Sequence, residues 1–295
     1  MSPIRRTVVF HVGAHKTGTS LLQKYMRDNA AVLRRHRMYY ISRGAMNDYV
    51  GWGDKLLADP EPLARKVRTT LLIPWFTTVI ASHENTLGPP LREHHDVHLY
   101  PRAPEIIDGL GELLAPYRAR IMLSIRPQEQ FIESYYLQSI HQGRHKRFDE
   151  WYARLDLDAL SWRPVVDKLY EVFGSEQVDV IDFRTITRGQ DDYIGDFFRR
   201  IDPRHTFDIE YTAVHNPSIS DKGLQMALAA NPHLTSGPER KLMRTFLQEH
   251  FSNQRYPRAV LLTDEQKRDL RDRYAAEYEA LVSGREPHGR TAGRP

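Results

Sequence analysis

The sequence has 295 residues, 40% of them hydrophobic, enough to bury a sizeable core in one large domain. It contains no cysteine, which excludes disulfides, cysteine metal sites and thiol catalysis. Forty-two basic residues against thirty-eight acidic ones leave a formal charge of +4, which suits an anionic ligand but falls short of the clustered footprint of a nucleic-acid binder.

No run approaches the roughly 18 apolar residues of a membrane span. The opening Met-Ser-Pro-Ile-Arg-Arg carries no apolar stretch of signal-peptide length. A soluble, cytoplasmic protein is the expectation.

In chain order, Thr7 to Val12 is a short run of β-branched and aromatic residues, the composition of a buried strand. Gly13 ends it, Ala14 to Gly18 form a tight loop, and from Thr19 the apolar residues Leu21, Leu22, Tyr25 and Met26 recur at helical spacing. Strand, loop and helix in this order aim backbone N–H groups and a helix dipole at one point, which favours a bound phosphate or sulfate. Gly13 and Gly18 have the spacing of a nucleotide triphosphatase loop, but Thr19 stands where its Lys would be and Lys16 lies inside the loop. From there Lys16 approaches a phosphate from another side, where it can neutralise charge on a single leaving phosphate.

The helix from Thr19 is expected to reach about His36, with Arg34 to Arg37 suiting its C-terminal dipole. Met38 to Ile41 reads as a second strand, residues 42 to 60 as a loop-like insertion, and Glu61 to Leu72 as a helix. Trp75 to Ala81 is another strand, followed by Ser82, His83, Glu84 and Asn85. Ligands of open α/β sheets bind outside the carboxyl ends of strands, so this tetrapeptide should face the Lys16 crevice. It supplies the best candidates for a catalytic base, Glu84 or His83; a magnesium carboxylate and an inert surface residue are rival roles for Glu84.

Residues 88 to 104 hold His94, His95 and His98 among four prolines. The histidines lack paired helical spacing, so a proline-rich loop is a better reading than a metal site. A helix from Ala103 to Tyr117 and a strand from Arg120 to Ile125 lead to Arg126 and Pro127, where a new helix starts and carries Ser134 two turns along. Arg126 can fork onto a phosphate and Ser134 can donate to the same group. His141 to Arg147 is a basic segment that reads as a solvated helix end or as a contact for an anionic substrate. A helix from Trp162 to Phe173, a strand from Val178 to Phe183 and a largely helical stretch from Tyr193 to Leu281 follow, with Asn216-Pro217-Ser218 opening one helix. The last dozen residues, rich in Gly, Arg and Pro, read as a disordered tail.

The run His15-Lys16-Thr17-Gly18-Thr19-Ser20, between strand and helix, resembles the 5′-phosphosulfate loop of sulfotransferases that use 3′-phosphoadenosine 5′-phosphosulfate (PAPS). Arg126, Ser134 and Tyr135 at the later strand-to-helix junction resemble that family's 3′-phosphate element, and Asp182-Phe183 resembles the strand end that follows it. The resemblance covers Thr7 to about Phe183. With no internal repeat and no second domain, the sequence reads as a single domain spanning 1–283 and a tail at 284–295, an α/β fold with a parallel sheet of four or five strands flanked by helices, similar to P-loop nucleotide kinases, and a largely helical C-terminal part. The resemblance implies PAPS as donor and its product PAP, with His15, Lys16, Thr17, Gly18, Thr19 and Ser20 at the 5′-phosphate, Arg126 and Ser134 at the 3′-phosphate, and no metal.

Lys16 would stabilise charge on the leaving phosphate. Glu84, kept ionised by its proximity to Lys16, would be the base, as in the carbohydrate enzymes of the family, with His83 in reserve and Glu133 and His141 next in line. The acceptor implied is a glycan or glycolipid hydroxyl, then a small natural product. The alternatives are an ATP-dependent P-loop kinase and a nucleotide-binding interaction module without catalysis.

Overall fold

The computed structural model describes residues 6–91, 98–203 and 218–284. The expectations attached to His94 and His95, to Asn216-Pro217 and to the tail from 285 onwards lie outside the described residues. In chain order the elements are β1 (Thr7–His11), α1 (Thr19–Asp28), α2 (Ala30–Arg35), β2 (Met38–Ile41), α3 (Arg43–Val50), α4 (Asp54–Ala58), α5 (Glu61–Leu72), β3 (Thr78–Ser82), α6 (Ala103–Leu114), β4 (Arg118–Ile125), α7 (Gln128–His141), α8 (Phe148–Tyr152), α9 (Arg163–Phe173), β5 (Val178–Asp182), α10 (Gln190–Ile201), α11 (Asp221–Ala230), α12 (Gly237–His250) and α13 (Asp264–Ser283). No described helix is long and apolar enough to cross a membrane.

The strands form one parallel sheet in the order β2-β3-β1-β4-β5. The expected α/β fold with a parallel sheet is therefore observed. β1 is central, with Phe10 opposite Ala81 on one side and Ile121 on the other. Strand side chains alternate between faces, and the core divides accordingly. Val8, Phe10, Val79, Ala81, Ile121 and Leu123 join one cluster with α3 to α7, α9 and α11 to α13. Val9, Ile80, Met122 and Ile181 join a second with α1, α2 and α10. Burial on both faces explains why β1 reads as an unbroken apolar run. The loop after β1 emerges where the strand order reverses, the crevice position of open α/β sheets.

Several expected boundaries move. The first helix breaks at Asn29, whose backbone N–H and side-chain amide both donate to the Tyr25 carbonyl, so the chain turns before α2. β3 begins at Thr78 because pairing with Thr7 and Met38 begins there, while Trp75 is exposed and donates its indole N–H to the Arg34 carbonyl. Residues 42 to 60, expected to be a loop, form α3 and α4. Ser42 caps α3 by accepting from Ala45 N, Met46, Val50 and Leu56 are buried, and Gly51 and Gly53 take left-handed φ between the helices. The helix expected to open by Ser218 starts instead at Asp221, and Ser220 caps it (α11) by accepting from Gly223 N.

Candidate active site

The loop between β1 and α1 is pinned to β4, since Val12 N donates to the Met122 carbonyl and Ala14 N to that of Ser124. Gly13 allows the loop to close on α1: a Cβ there would sit 2.6 Å from the Thr19 hydroxyl. Lys16 and Gly18 both adopt left-handed conformations, with φ of 64° and 78°. The Lys16 conformation costs about 1 kcal/mol or more for a residue with a Cβ, so the surrounding structure must hold it. α1 has no side-chain cap and no acidic residue in its first turn, which leaves its N-terminus suited to an anion.

Beneath the loop runs a buried hydrogen-bond chain. The Tyr193 hydroxyl of α10 donates to the Thr17 carbonyl at 2.7 Å. Its hydrogen is thereby used, so Ser124 Oγ donates to Tyr193 at 2.8 Å. His11 Nε2 then donates to Ser124, and Ser82 Oγ donates to His11 Nδ1 at 2.9 Å. A neutral His11 suits this single direction, and burial lowers its pKa to about 4 against the smaller opposing effect of Glu84. The chain ties β3, β1, β4 and α10 to the carbonyl beside Lys16. His15 is fixed separately: its backbone N–H and its Nδ1 both meet the Tyr100 hydroxyl, at 2.8 and 2.9 Å, and its ring stacks on Trp52.

Arg126, at the end of β4, donates from its guanidinium to the Lys16 carbonyl at 3.2 Å and lies over the Phe183 ring. Its own carbonyl is held by the Trp162 indole N–H. Burial and then Arg258 lower its pKa to about 10, which leaves it charged. Ser134 is buried on α7 and faces the same cleft.

At the end of β3 the neighbouring residues part. His83 is fully buried, bonds through Nε2 to the Asn47 side chain and does not line the cleft. Glu84 does line it, with Oε1 accepting from Arg43 at 2.6 Å and Oε2 from Gln23 at 3.2 Å. Burial acts to raise the Glu84 pKa, but Arg43, backbone donation, His83 and Gln23 together hold it below the ordinary carboxylate value. Arg43, rather than the expected Lys16, is the charge that keeps Glu84 ionised. Burial, opposed by Glu84 and reinforced by Arg43, lowers the His83 pKa. Glu133 accepts instead from Leu262 N and lies 3.7 Å from Lys267, outside the cleft lining.

The cleft has a volume of about 560 Å³ and is lined by His15, Lys16, Thr17, Gly18, Thr19, Ser20, Glu84, Arg126 and Ser134 together with Arg43, His141, Arg244 and Arg258. Among the described residues, five cations thus face one carboxylate, itself paired. Lys16 is exposed to the open cleft, yet the protein around it lowers its pKa to about 8, through desolvation first and Arg126 second. Thr17 spends its hydroxyl on the Ala14 carbonyl, so only its backbone is available to a ligand. Buried Thr19 Oγ1, Arg126 Nε and His141 Nε2 find no partner among the described residues. Polar atoms so placed are satisfied by a polar ligand or water, and the surplus of cations selects an anion. The donor set therefore fits an anionic ligand.

Sequence reasoning missed Gln23, Arg43, Asn47, Trp52, Tyr193, Arg244 and Arg258. The amphipathic spacing of Met46 and Val50 was the available signal for α3; nothing local marks the others.

No protein-family model matches the sequence, and no curated protein matches it. Among solved structures, the chain is similar to a sulfotransferase from Alicyclobacillus acidocaldarius at 17% identity and a TM-score of 0.46, over 80% of this chain and 99% of that one. It is also similar to retinol dehydratase in complex with androsterone and inactive cofactor PAP, at 10% identity and a TM-score of 0.39, over 97% of this chain and 84% of that one.

Proposed function

We propose that the chain is a PAPS-dependent sulfotransferase acting on an acceptor hydroxyl or amine. The observation that carries this reading is the meeting of Lys16 and Arg126, 110 residues apart, at one cation-rich cleft, with the lysine inside the loop rather than after it. Bound PAPS would supply the sulfuryl group for transfer to that hydroxyl or amine, with the 5′-phosphate as the leaving group.

The backbone of the loop and the Thr19 and Ser20 hydroxyls hold the 5′-phosphate, and Lys16 stabilises charge on the leaving oxygen. Arg126 and Ser134 hold the 3′-phosphate. Ionised Glu84 takes the acceptor proton, oriented by Arg43 and Gln23. His141, whose pKa is lowered to about 4 by burial, Lys16 and Arg244, stays neutral and is the second candidate base. By resemblance to the carbohydrate enzymes, the acceptor is a glycan or glycolipid, with a small natural product next.

An ATP-dependent kinase would need its lysine after the loop and a carboxylate for magnesium at a strand end, whereas Lys16 lies inside the loop and Arg126 stands at the end of β4. Calorimetry with PAP, ADP and ATP, each with and without magnesium, tests the choice. Tight, magnesium-independent binding of PAP alone is expected; binding of ATP that requires magnesium would favour the kinase.

A further inference from the structure

β4 and β5 stay in register up to Ile125 and Asp182, and the residues that follow, Arg126 and Phe183, meet with the guanidinium 4.9 Å from the ring centre. Both line the cleft. The Tyr278 hydroxyl of α13 sits at the end of this ladder and donates its hydrogen between Asp182 Oδ1 at 2.7 Å and the Ile125 carbonyl at 3.1 Å. One shared hydrogen thus joins two strand ends, each a residue short of the cleft. Tyr278 is buried, and burial first and Asp182 second raise its pKa, which keeps that hydrogen in place. Asp182 also accepts from the backbone and guanidinium N–H groups of Arg184, capping the turn that starts at Phe183, and the Arg184 guanidinium lies 4.8 Å from the Tyr278 ring centre. The residues beside Tyr278 complete the arrangement. Glu279 accepts from Arg184, and Glu277 accepts at 3.0 Å from the backbone N–H of Trp162, the residue whose indole holds the Arg126 carbonyl.

We propose that α13 positions the 3′-phosphate site, through Tyr278 directly and with Glu277 in support. The proposal rests on the donor reading above and adds two positioning residues to it. Neither Tyr278 nor Glu277 lines the cavity, so each acts on a ligand through Arg126. A guanidinium fork binds phosphate well only when its plane faces the oxygens, and groups of this kind are held in the productive orientation by the residues behind them. Here the plane is set by the Phe183 ring beside it and by the backbone from which the arginine leaves. α13 holds both. Tyr278 ties the Ile125 carbonyl on one side of Arg126, Trp162, itself held by Glu277, ties the Arg126 carbonyl on the other, and Asp182 fixes the turn that carries Phe183.

Tyr278→Phe keeps the ring beside Arg184 and removes only the hydroxyl. Calorimetry should show PAP weakened about fivefold or more, the scale of one hydrogen bond, and adenosine 5′-phosphate, which lacks the 3′-phosphate, bound as in the wild-type protein. In an Arg126→Ala background the same substitution should leave PAP affinity unchanged, because the hydroxyl acts through that arginine. A purely structural tyrosine would instead weaken both nucleotides alike and add its loss to that of Arg126→Ala. If Tyr278→Phe does not fold, Glu277→Ala, which loosens Trp162 and with it the Arg126 carbonyl, should give the same selective loss of PAP, again absent in the Arg126→Ala background. Equal weakening of the two nucleotides, no weakening of PAP, or a loss that persists without Arg126 would overturn the proposal. Failure of PAP to bind the wild-type protein would overturn the donor reading, and the role of α13 with it.

Discussion

Arg43 and Glu84 meet at 2.6 Å across the gap between α3 and the end of β3, and Gln23 closes the carboxylate from the other side. A carboxylate held in this way is ionised and fixed in direction, at the expense of basicity. Because the folded Glu84 pKa lies below its ordinary value, the pair contributes stability above the unfolded carboxylate range and loses it as pH falls through the folded pKa. Arg43→Ala should therefore move the acid limb of the kcat/KM profile to higher pH. Glu84→Gln should cut turnover by about a hundredfold or more with PAP affinity retained. Full turnover in Glu84→Gln would shift the base to His141, tested by His141→Ala.

Lys16→Ala should lower kcat by on the order of a hundredfold or more, the cost of one preorganised charge, with circular dichroism unchanged. Because the charged form of Lys16 is disfavoured down to about 8, turnover should fall as pH rises through that value. In Lys16→Arg this alkaline limb should disappear, since guanidinium stays protonated. A limb that persists in Lys16→Arg belongs to another group.

Arg126→Ala should weaken PAP by about 2 kcal/mol or more, the scale of a hydrogen bond between charged groups. Adenosine 5′-phosphate, which lacks the 3′-phosphate, should be weakened far less, and then only through the Lys16 carbonyl that Arg126 no longer holds. Equal weakening of the two nucleotides would make Arg126 a support of the loop alone.

Tyr193→Phe removes one hydroxyl and leaves both the Thr17 carbonyl and the Ser124 hydroxyl without their buried partner. The expected destabilisation is about 1–3 kcal/mol, read as a lower denaturant midpoint at constant slope, together with weaker PAP binding. An unchanged midpoint would mean that water replaces the tyrosine and that the loop does not depend on it.

The elements legible in the sequence were those whose pattern is complete within themselves. Met38–Ile41 and Glu61–Leu72 appear with the expected bounds because one is a compact β-branched and aromatic run and the other an amphipathic period with Pro in its first turn. The Lys16 loop and the Arg126 to Ser134 junction were readable for the same reason: strand, loop and helix are contiguous. Segment 42–60 was misread because Gly44, Gly51, Gly53 and Asp48 dilute the helical period, although Gly51 and Gly53 only separate two helices. The orientation of Glu84 over His83 was legible as an alternation, but its partners were not. Arg43, Gln23 and Tyr193 acquire their roles only through neighbours in the folded sheet, and Arg244 and Arg258 reach the cleft from the far end of the chain.

The central place of β1 also shapes how the protein is made. The loop that carries Lys16 is synthesised before its supports, since Phe10 pairs with Ala81 and Ile121, so one edge of β1 stays bare until β3 and the other until β4 has left the ribosome. Long-range parallel pairing of this kind is slow to form, and an unpaired apolar strand is prone to associate with other chains meanwhile. A nascent chain halted after β3 should hold β1 on one edge alone, without the hydrogen bond from Arg126 to Lys16. Ligand binding should therefore arise late in synthesis, and truncations before Arg118 should expose the free edge of β1 to chaperones and show no affinity for nucleotide.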